Sequence, residues 1–200
     1  IGCELAQAHR RLGAKATILE MFGILAKDDP EAADVVRRRL QREGISVRED
    51  IKVSGVSASD GGVTVEIECD DGAETITGSH VLVAAGRRPN LDGLDLDAAG
   101  IAHSPQGIEV DARLRTTNKR VFAIGDAAGA LQFTHVAGYH AGIVIRNALF
   151  KMPAKATNRA IPRVTYTDPE LANVGLTEAE AKDRLGGDIR ILRWPFAEND

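Results

Sequence analysis

One short apolar run that ends in a Gly-Asp pair constrains the fold of this chain more than any other feature. Residues 121–124, Val-Phe-Ala-Ile, predict a buried strand, and Gly125 and Asp126 follow it directly. Open α/β sheets bind their ligands beyond the carboxyl ends of such strands. Gly125 would let the backbone approach a ligand closely, and the Asp126 carboxylate only accepts hydrogen bonds, which suits the hydroxyls of a sugar or polyol. Taken alone, this short pattern is more typical of an ordinary Asp turn, and a ligand-binding turn in an α/β fold is the alternative.

The beginning of the chain carries a second pattern of this kind. Residues 1–13 predict a helix that Gly13 ends, and residues 14–19 predict a strand that ends at Glu20. Helix, glycine, strand and terminal acid form the second half of a dinucleotide-binding βαβ unit. Such an acid accepts hydrogen bonds from the adenosine ribose, which favours NAD over NADP. Taken alone, Glu20 could equally be a plain charge at the end of a strand.

The other expected elements follow from periodicity and turn residues. In chain order, they are a helix over 30–43, strands over 45–58 and 63–68 joined by a hairpin turn, a short strand after Gly72, a buried strand within 80–86, a short strand over 107–110 and a helix capped by Thr134. The last of these helices has one apolar face, formed by Ala137, Ala141, Val144 and Ala148. Thr177 and Glu180 form a capping box that predicts a later helix.

Composition and charge exclude several classes of protein. The hydrophobic fraction of 44% and the charged fraction of 27% are ordinary for a globular protein. The net charge of −4 gives no general attraction to nucleic acid or to anionic membranes. No apolar run approaches the roughly 20 residues that cross a bilayer. We therefore expect a cytoplasmic protein with neither nucleic acid nor a membrane as its partner.

The cysteines and histidines predict neither a metal site nor a disulfide scaffold. Cys3 and Cys69 lie far apart in the sequence, without zinc spacing. Two aspartates follow Cys69, and their negative charge makes it a poor candidate for a nucleophile. His135 and His140 do not have the spacing that stacks two side chains on one helix face.

Residues 114–126 resemble the second flavin motif of the pyridine nucleotide-disulfide oxidoreductases, in which a Thr precedes an apolar strand that ends in Gly-Asp. By this resemblance, Asp126 holds the ribityl chain of FAD. The resemblance also implies that the N-terminus of the helix that begins at Thr134 points at the pyrimidine edge of the flavin, where its partial positive charge favours the anionic reduced form. The implied FAD-binding residues are Thr116, Gly125, Asp126, Thr134, His135 and Val136.

Two further stretches are similar to the NAD-binding part of the same family. Residues 1–4, Ile-Gly-Cys-Glu, match the tail of its glycine-rich fingerprint, with Gly2 as the last glycine and Glu4 near the nicotinamide. Residues 84–90 are similar to the family's Ala-x-Gly-Arg-x-Pro-Asn segment, in which Gly86 would allow close packing near the nucleotide. The implied NAD-binding residues are Gly2, Glu4, Glu20 and Gly86.

Residues 161–181 resemble the opening of the family's dimerisation domain, which implies a homodimer. The expected fold class is thus α/β. A Rossmann-like NAD domain without its first strand spans residues 1–86, part of an FAD domain spans 87–157, and the start of an α+β dimerisation domain spans 158–200. A chain that begins inside the nucleotide fingerprint is expected to be a fragment of a longer protein.

The resemblance implies a relative of dihydrolipoamide dehydrogenase and mercuric reductase, which moves electrons between NAD(P)H, FAD and a small-molecule disulfide or metal substrate. The family's redox Cys-x4-Cys, its first FAD motif and its C-terminal His and Glu pair have no match here. We therefore expect no catalytic residue in this chain, and no activity from it alone. Two alternatives stay open: a flavoprotein NADH oxidase or transhydrogenase without a redox disulfide, and a non-enzymatic nucleotide-binding module.

Overall fold

The computed structural model describes residues 1–69, 72–129, 131–195 and 198. The chain divides into two compact units. Unit 1 contains Ile1–Ala84 together with Pro162–Asp200, and unit 2 contains Ala85–Ile161. The segment expected to open a dimerisation domain thus packs within unit 1. The three-domain division with boundaries after residues 86 and 157 stays a prediction.

Unit 1 begins with two helices and a pair of parallel strands. Helix α1 (Gly2–Arg11) leads to strand β1 (Thr17–Leu19), and helix α2 (Pro30–Arg42) leads to strand β2 (Ser46–Arg48). Pro30 occupies the first turn of α2, where its missing N–H costs nothing. Strands β1 and β2 pair in parallel, as a helical crossover connection requires. The helices and strands of this part pack around a core that is formed by Cys3, Ile24, Val36, Leu40, Ile45 and Leu171.

An antiparallel meander follows, with strands β3 (Lys52–Ser59), β4 (Gly62–Cys69) and β5 (Gly72–Gly78). The expected hairpin turn and the expected strand after Gly72 are both present. The prediction of one strand over residues 45–58 is wrong, because Asp50 has a left-handed backbone (φ +54°) that turns the chain between β2 and β3. The two aspartates after Cys69 lie outside the described residues.

Residues 80–86 do not form the buried strand that their apolar character predicted. Val83 is 80% exposed, and Val81 and Leu82 are about half exposed. A strand exists only where a neighbouring strand supplies hydrogen bonds, and among the described residues no strand pairs with this run. The apolar composition of this run predicted a strand, but composition does not show whether a partner strand lies beside it.

Unit 2 contains a small antiparallel pair, β6 (His103–Ser104) and β7 (Gly107–Ile108), and a long helix, α3 (Thr134–Ala148). Its core is formed by Leu96, Ile101, Ile108 and Ala123. The predicted strand over residues 121–124 is wrong: apart from one bridge between Arg115 and Phe122, this segment folds back on residues 114–116 as a loop. It then enters a 3₁₀ turn, Gly125–Ala128.

Helix α3 starts as expected but is capped and oriented differently. Its N-cap is Phe133 rather than Thr134. Its buried residues are Val136, His140, Ile143 and Asn147, whereas Ala148 of the predicted face is exposed. Both sets have helical spacing. The face that contains His140 and Asn147 is buried because both polar side chains have partners. His140 accepts a hydrogen bond from the Gly125 amide, and Asn147 bonds the backbone of Ala154.

The C-terminal segment of unit 1 contains an antiparallel pair, β8 (Pro162–Thr165) and β9 (Leu171–Val174), and helix α4 (Glu178–Leu185). The Thr177 hydroxyl accepts from the Glu180 amide, and the Glu180 carboxylate accepts from the Thr177 amide. The predicted capping box is thus confirmed. None of the described helices is both long enough and apolar enough to cross a membrane.

Candidate functional site

The Gly125–Ala128 turn lies against helix α3, and this contact explains the glycine. Gly125 has a left-handed backbone (φ +57°), which side chains disfavour. A Cβ on Gly125 would also lie 2.8 Å from the Cβ of Ala137, which is too close for any real contact. Contact with the helix is thus one reason for the glycine, and the approach of a ligand to Gly125 stays a prediction.

A buried histidine holds the same turn. The Gly125 amide donates a hydrogen bond of 3.1 Å to Nδ1 of His140, whose side chain is 4% exposed. Burial lowers the pKa of His140, so its imidazole stays neutral and can accept. From the sequence, His140 was considered only as a metal-binding or catalytic residue. Its spacing to the glycine is not local, so no pattern in the sequence could indicate this bond.

Asp126 follows directly and faces Arg87, with 3.5 Å between its Oδ2 and the arginine Nη1. The two side chains are 44% and 54% exposed. The carboxylate is therefore neither buried nor enclosed by the base, and oxygen lone pairs stay accessible. Sequence reasoning gave Arg87 no role, and its proximity to Asp126 becomes visible only in the fold.

Thr116 lies in the loop before the turn and is 1% exposed. Its hydroxyl donates to the Asn118 carbonyl at 2.9 Å, and its amide donates to the Val121 carbonyl at 3.0 Å. These bonds shape the loop that delivers Gly125 and Asp126. Direct contact between Thr116 and a ligand stays a prediction, and the structure gives its hydroxyl a structural partner.

The first residues of α3 divide into two exposed side chains and one buried side chain. Thr134 and His135 are exposed, whereas Val136 is 1% exposed and packs inward. The His135 ring stacks on Phe133, with 5.2 Å between the ring centroids. Among the described residues, no group of three or more His, Cys, Asp or Glu side chains is arranged to hold a metal ion.

In unit 1, Gly2 and Glu4 both lie in the first turn of α1. A Cβ on Gly2 would lie 3.5 Å from the Cβ of Ala84, so the helix start runs beside the end of the apolar 80–86 run. Oε1 of Glu4 accepts from the Tyr166 amide at 2.8 Å, which ties α1 to the C-terminal segment. The expected position of Glu4 beside a nicotinamide stays a prediction.

Glu20 lies directly after β1, as the sequence predicts. Its amide donates to the Arg48 carbonyl at 2.9 Å, which extends the parallel pairing by one residue. Its Oε1 accepts a hydrogen bond of 3.3 Å from the Phe22 amide, and the side chain is half-buried. A carboxylate held at the end of a parallel strand by one oxygen can offer the other to a ribose hydroxyl.

Gly86 belongs to unit 2 and is exposed. Its φ of +121° is a backbone conformation that other residues rarely adopt, which explains the glycine. No described atom lies within 4 Å of the position that a Cβ would occupy. The close approach of Gly86 to a nucleotide stays a prediction.

The cysteines do not form a redox pair here. Cys3 and Cys69 are both free, and Cys3 is buried in the first turn of α1. Burial raises the pKa of the Cys3 thiol, so it is a poor source of thiolate. Cys69 lies at the end of β4, with its Sγ 3.2 Å from the Gly72 carbonyl oxygen.

Comparison with known proteins identifies the family of this chain. Residues 1–141 match the family described as pyridine nucleotide-disulphide oxidoreductase, and residues 161–200 match its dimerisation domain. The chain is 39% identical over its whole length to a dihydrolipoyl dehydrogenase of Geobacillus stearothermophilus, of which it covers 42%. It is 34% identical to a mercuric reductase of Staphylococcus aureus over 98% of the chain and 36% of that protein.

Among solved structures, the HOCl-induced flavoprotein disulfide reductase RclA of Escherichia coli is similar, with a TM-score of 0.85 and 30% identity. The match covers 98% of this chain and 45% of that one. The chain thus spans less than half the length of these relatives. With a family match over most of its residues and a second match over its C-terminal segment, the chain belongs to the pyridine nucleotide-disulphide oxidoreductase family.

Proposed function

We propose that the whole protein is an FAD-dependent oxidoreductase that moves electrons between NAD(P)H, FAD and a disulfide or metal-ion substrate. The observation that carries this proposal is the Gly125–Ala128 turn: it presents the half-exposed carboxylate of Asp126 beside a helix against which it is fixed. The family membership and the names of its relatives support the class of reaction.

FAD fits the residues of this turn. Asp126 would accept hydrogen bonds from the ribityl hydroxyls, because an ionised carboxylate offers acceptors only. The exposed start of α3, with Thr134 and His135, would face the flavin and place the positive end of the helix dipole near it. When bound, FAD supplies hydride and electron transfer, which no side chain provides.

NAD(H) is the nucleotide that unit 1 favours. Glu20 would accept hydrogen bonds from the adenosine ribose, and its negative charge would repel the additional phosphate of NADP. Gly2 would allow α1 to run close to the nucleotide, as it runs close to Ala84 here. Glu4 would lie further along the nucleotide.

A homodimer is the assembly that the match of residues 161–200 supports. The substrate would be a small molecule of the kind named for the relatives, such as dihydrolipoyl groups or mercuric ion. The electron-accepting cysteine pair would not be Cys3 and Cys69, because the two are not bonded to each other and burial raises the pKa of the Cys3 thiol.

The test uses the complete protein, expressed from the reading frame that contains this sequence. After anaerobic mixing with NADH, we expect the flavin absorbance to bleach, and NADH to act at lower concentration than NADPH. A protein that is colourless after purification, and that binds no added FAD, would overturn the proposal. Equal use of NADPH would overturn only the role assigned to Glu20.

A further inference from the structure

We propose that His140 is a positioning residue for flavin binding, and that its neutral imidazole fixes the Gly125 amide and thereby the direction of the Asp126 carboxylate. This inference rests on the proposed function, because it assigns Asp126 to FAD. His140 lies in the middle of α3, and its sequence spacing suggested no contact with the turn.

The hydrogen bond has the features of a rigid support. The Gly125 amide and His140 Nδ1 are 3.1 Å apart, and both residues are buried. A buried amide that loses its acceptor is strongly disfavoured. Gly125 therefore cannot rotate freely about its backbone while His140 is in place.

The same turn is held from a second direction. The Gly125 backbone packs so close to Ala137 that no Cβ fits between them. Ala137 and His140 are three residues apart in α3, so they contact the turn from one face of the helix. Close packing sets the distance between turn and helix, and the histidine sets the orientation of the peptide group.

The chemistry requires one form of the ring. Nδ1 accepts the hydrogen bond from the Gly125 amide, so the ring proton must be on Nε2. A doubly protonated ring would place two N–H groups against each other. Burial in unit 2 favours the neutral form that the bond needs.

The consequence for the site lies one residue further along the chain. Asp126 follows Gly125, and its carboxylate is 3.5 Å from the Arg87 guanidinium. If the Gly125 peptide rotated, the carboxylate could close on Arg87 or turn to solvent. Either movement removes a prearranged acceptor from the ribityl hydroxyls, so affinity for FAD falls.

Two variants separate the hydrogen bond from the volume of the side chain. His140→Phe keeps a ring but removes the acceptor, whereas His140→Asn can place its amide oxygen near the position of Nδ1. Asn147→Leu is the matched control, because Asn147 is also buried on this face of α3 and bonds the backbone of Ala154. All are made in the complete protein, and circular dichroism melts verify folding.

Two readouts are measured on the protein after its flavin has been removed: the Kd for added FAD, and the hydrogen exchange of the Gly125 amide by NMR. We expect His140→Phe to raise the Kd about tenfold, as the loss of one buried hydrogen bond implies, and to accelerate exchange of this amide. His140→Asn should restore both within about threefold. Asn147→Leu should lower the melting temperature without changing either readout.

The outcomes separate the two proposals. If the wild-type protein binds FAD and His140→Phe equals it in both readouts, the role of His140 is overturned alone. If the wild-type protein binds no FAD, the proposed function is overturned together with this role. If His140→Phe does not fold, two other measurements decide: the FAD affinity of His140→Asn and the NMR shifts of the ring nitrogens in the wild-type protein. A protonated Nδ1 contradicts the inference. An unprotonated Nδ1, together with retained FAD affinity of His140→Asn, supports it.

Discussion

Arg87 and Asp126 form a loose, half-exposed pair in which the arginine competes with any ligand for the carboxylate. Exposed ion pairs contribute only about 0.2–1 kcal/mol. We therefore expect Arg87→Gln to leave the Kd for FAD within about threefold of the wild-type value, measured by flavin fluorescence titration. A larger loss of affinity would mean that Arg87 itself contacts the flavin.

In the proposed function, Glu20 sets the preference for NAD(H) over NADP(H). One of its oxygens is bound by the Phe22 amide, and the side chain is half-buried at the end of β1. We expect Glu20→Gln to raise the KM for NADH by about tenfold, the cost of weakening a charged hydrogen bond by about 1.4 kcal/mol. The KM for NADPH should stay constant or fall. An unchanged ratio of the two KM values would contradict the assignment.

Residue roles differ in how far the sequence can predict them. Glu20 and Asp126 could be named from the sequence because each follows an apolar run, which is a local pattern, and their roles stay predictions. The contacts of His140 and Arg87 could not be named, because each side chain contacts a residue that is distant in the chain. Gly125 was recognised from the sequence, but the explanation for a glycine at this position was incomplete. Its close contact with Ala137 becomes visible only in the fold.

At the scale of elements, Glu43 joins α1, α2 and the C-terminal segment of unit 1. Its carboxylate accepts hydrogen bonds from Arg11, Arg39 and Gln7. The same Arg11 and Gln7 bind Asp168, at 2.6 Å from the arginine and 2.9 Å from the glutamine amide. The contacts of Glu43 lower its pKa from 4.5 to about 2, and the hydrogen bond from Arg11 contributes most.

The lowered pKa of Glu43 gives a dependence of stability on pH. Because the folded pKa is below the unfolded pKa, the ionised carboxylate stabilises the fold above about pH 4.5, and this contribution is lost as the pH falls towards 2. We expect Glu43→Gln to lower the free energy of unfolding at pH 7 by about 1 kcal/mol, and to reduce the loss of stability in acid. Urea melts across this pH range measure both effects.

Glu68→Gln is the control for this prediction, because Glu68 forms an exposed pair with Lys52. It should change the free energy of unfolding by less than about 0.5 kcal/mol. If Glu43→Gln were as mild as this control, the cluster would contribute no more than an ordinary surface pair.

Helices were predicted better than strands, for a physical reason. The bounds of α1, α2 and α3 depend on local periodicity, proline and glycine, all of which can be read from sequence. The turn between β3 and β4 is equally local. The expected strands within 80–86 and over 121–124 depend on partners elsewhere in space, and apolar composition does not supply those. The inward face of α3 was missed because its buried side chains include the polar His140 and Asn147.

At the scale of the whole molecule, residues 161–200 predict self-association of the complete protein. Homodimers with two-fold symmetry are the commonest oligomers, and obligate interfaces bury large areas. We expect sedimentation at micromolar concentration to give twice the mass of one polypeptide. A single monomeric species at every concentration would contradict a dimer.

The affinity for FAD of an Asp126→Ala variant tests the central claim most directly. It is measured by titration of the flavin-free complete protein, with Asp92→Ala as a control that removes an exposed charge from the same unit. Loss of the carboxylate should raise the Kd for FAD about 10- to 100-fold, as expected for hydrogen bonds to a charged group, while Asp92→Ala leaves it unchanged. Equal affinities for the wild-type protein and Asp126→Ala would contradict the assignment of this turn to the flavin.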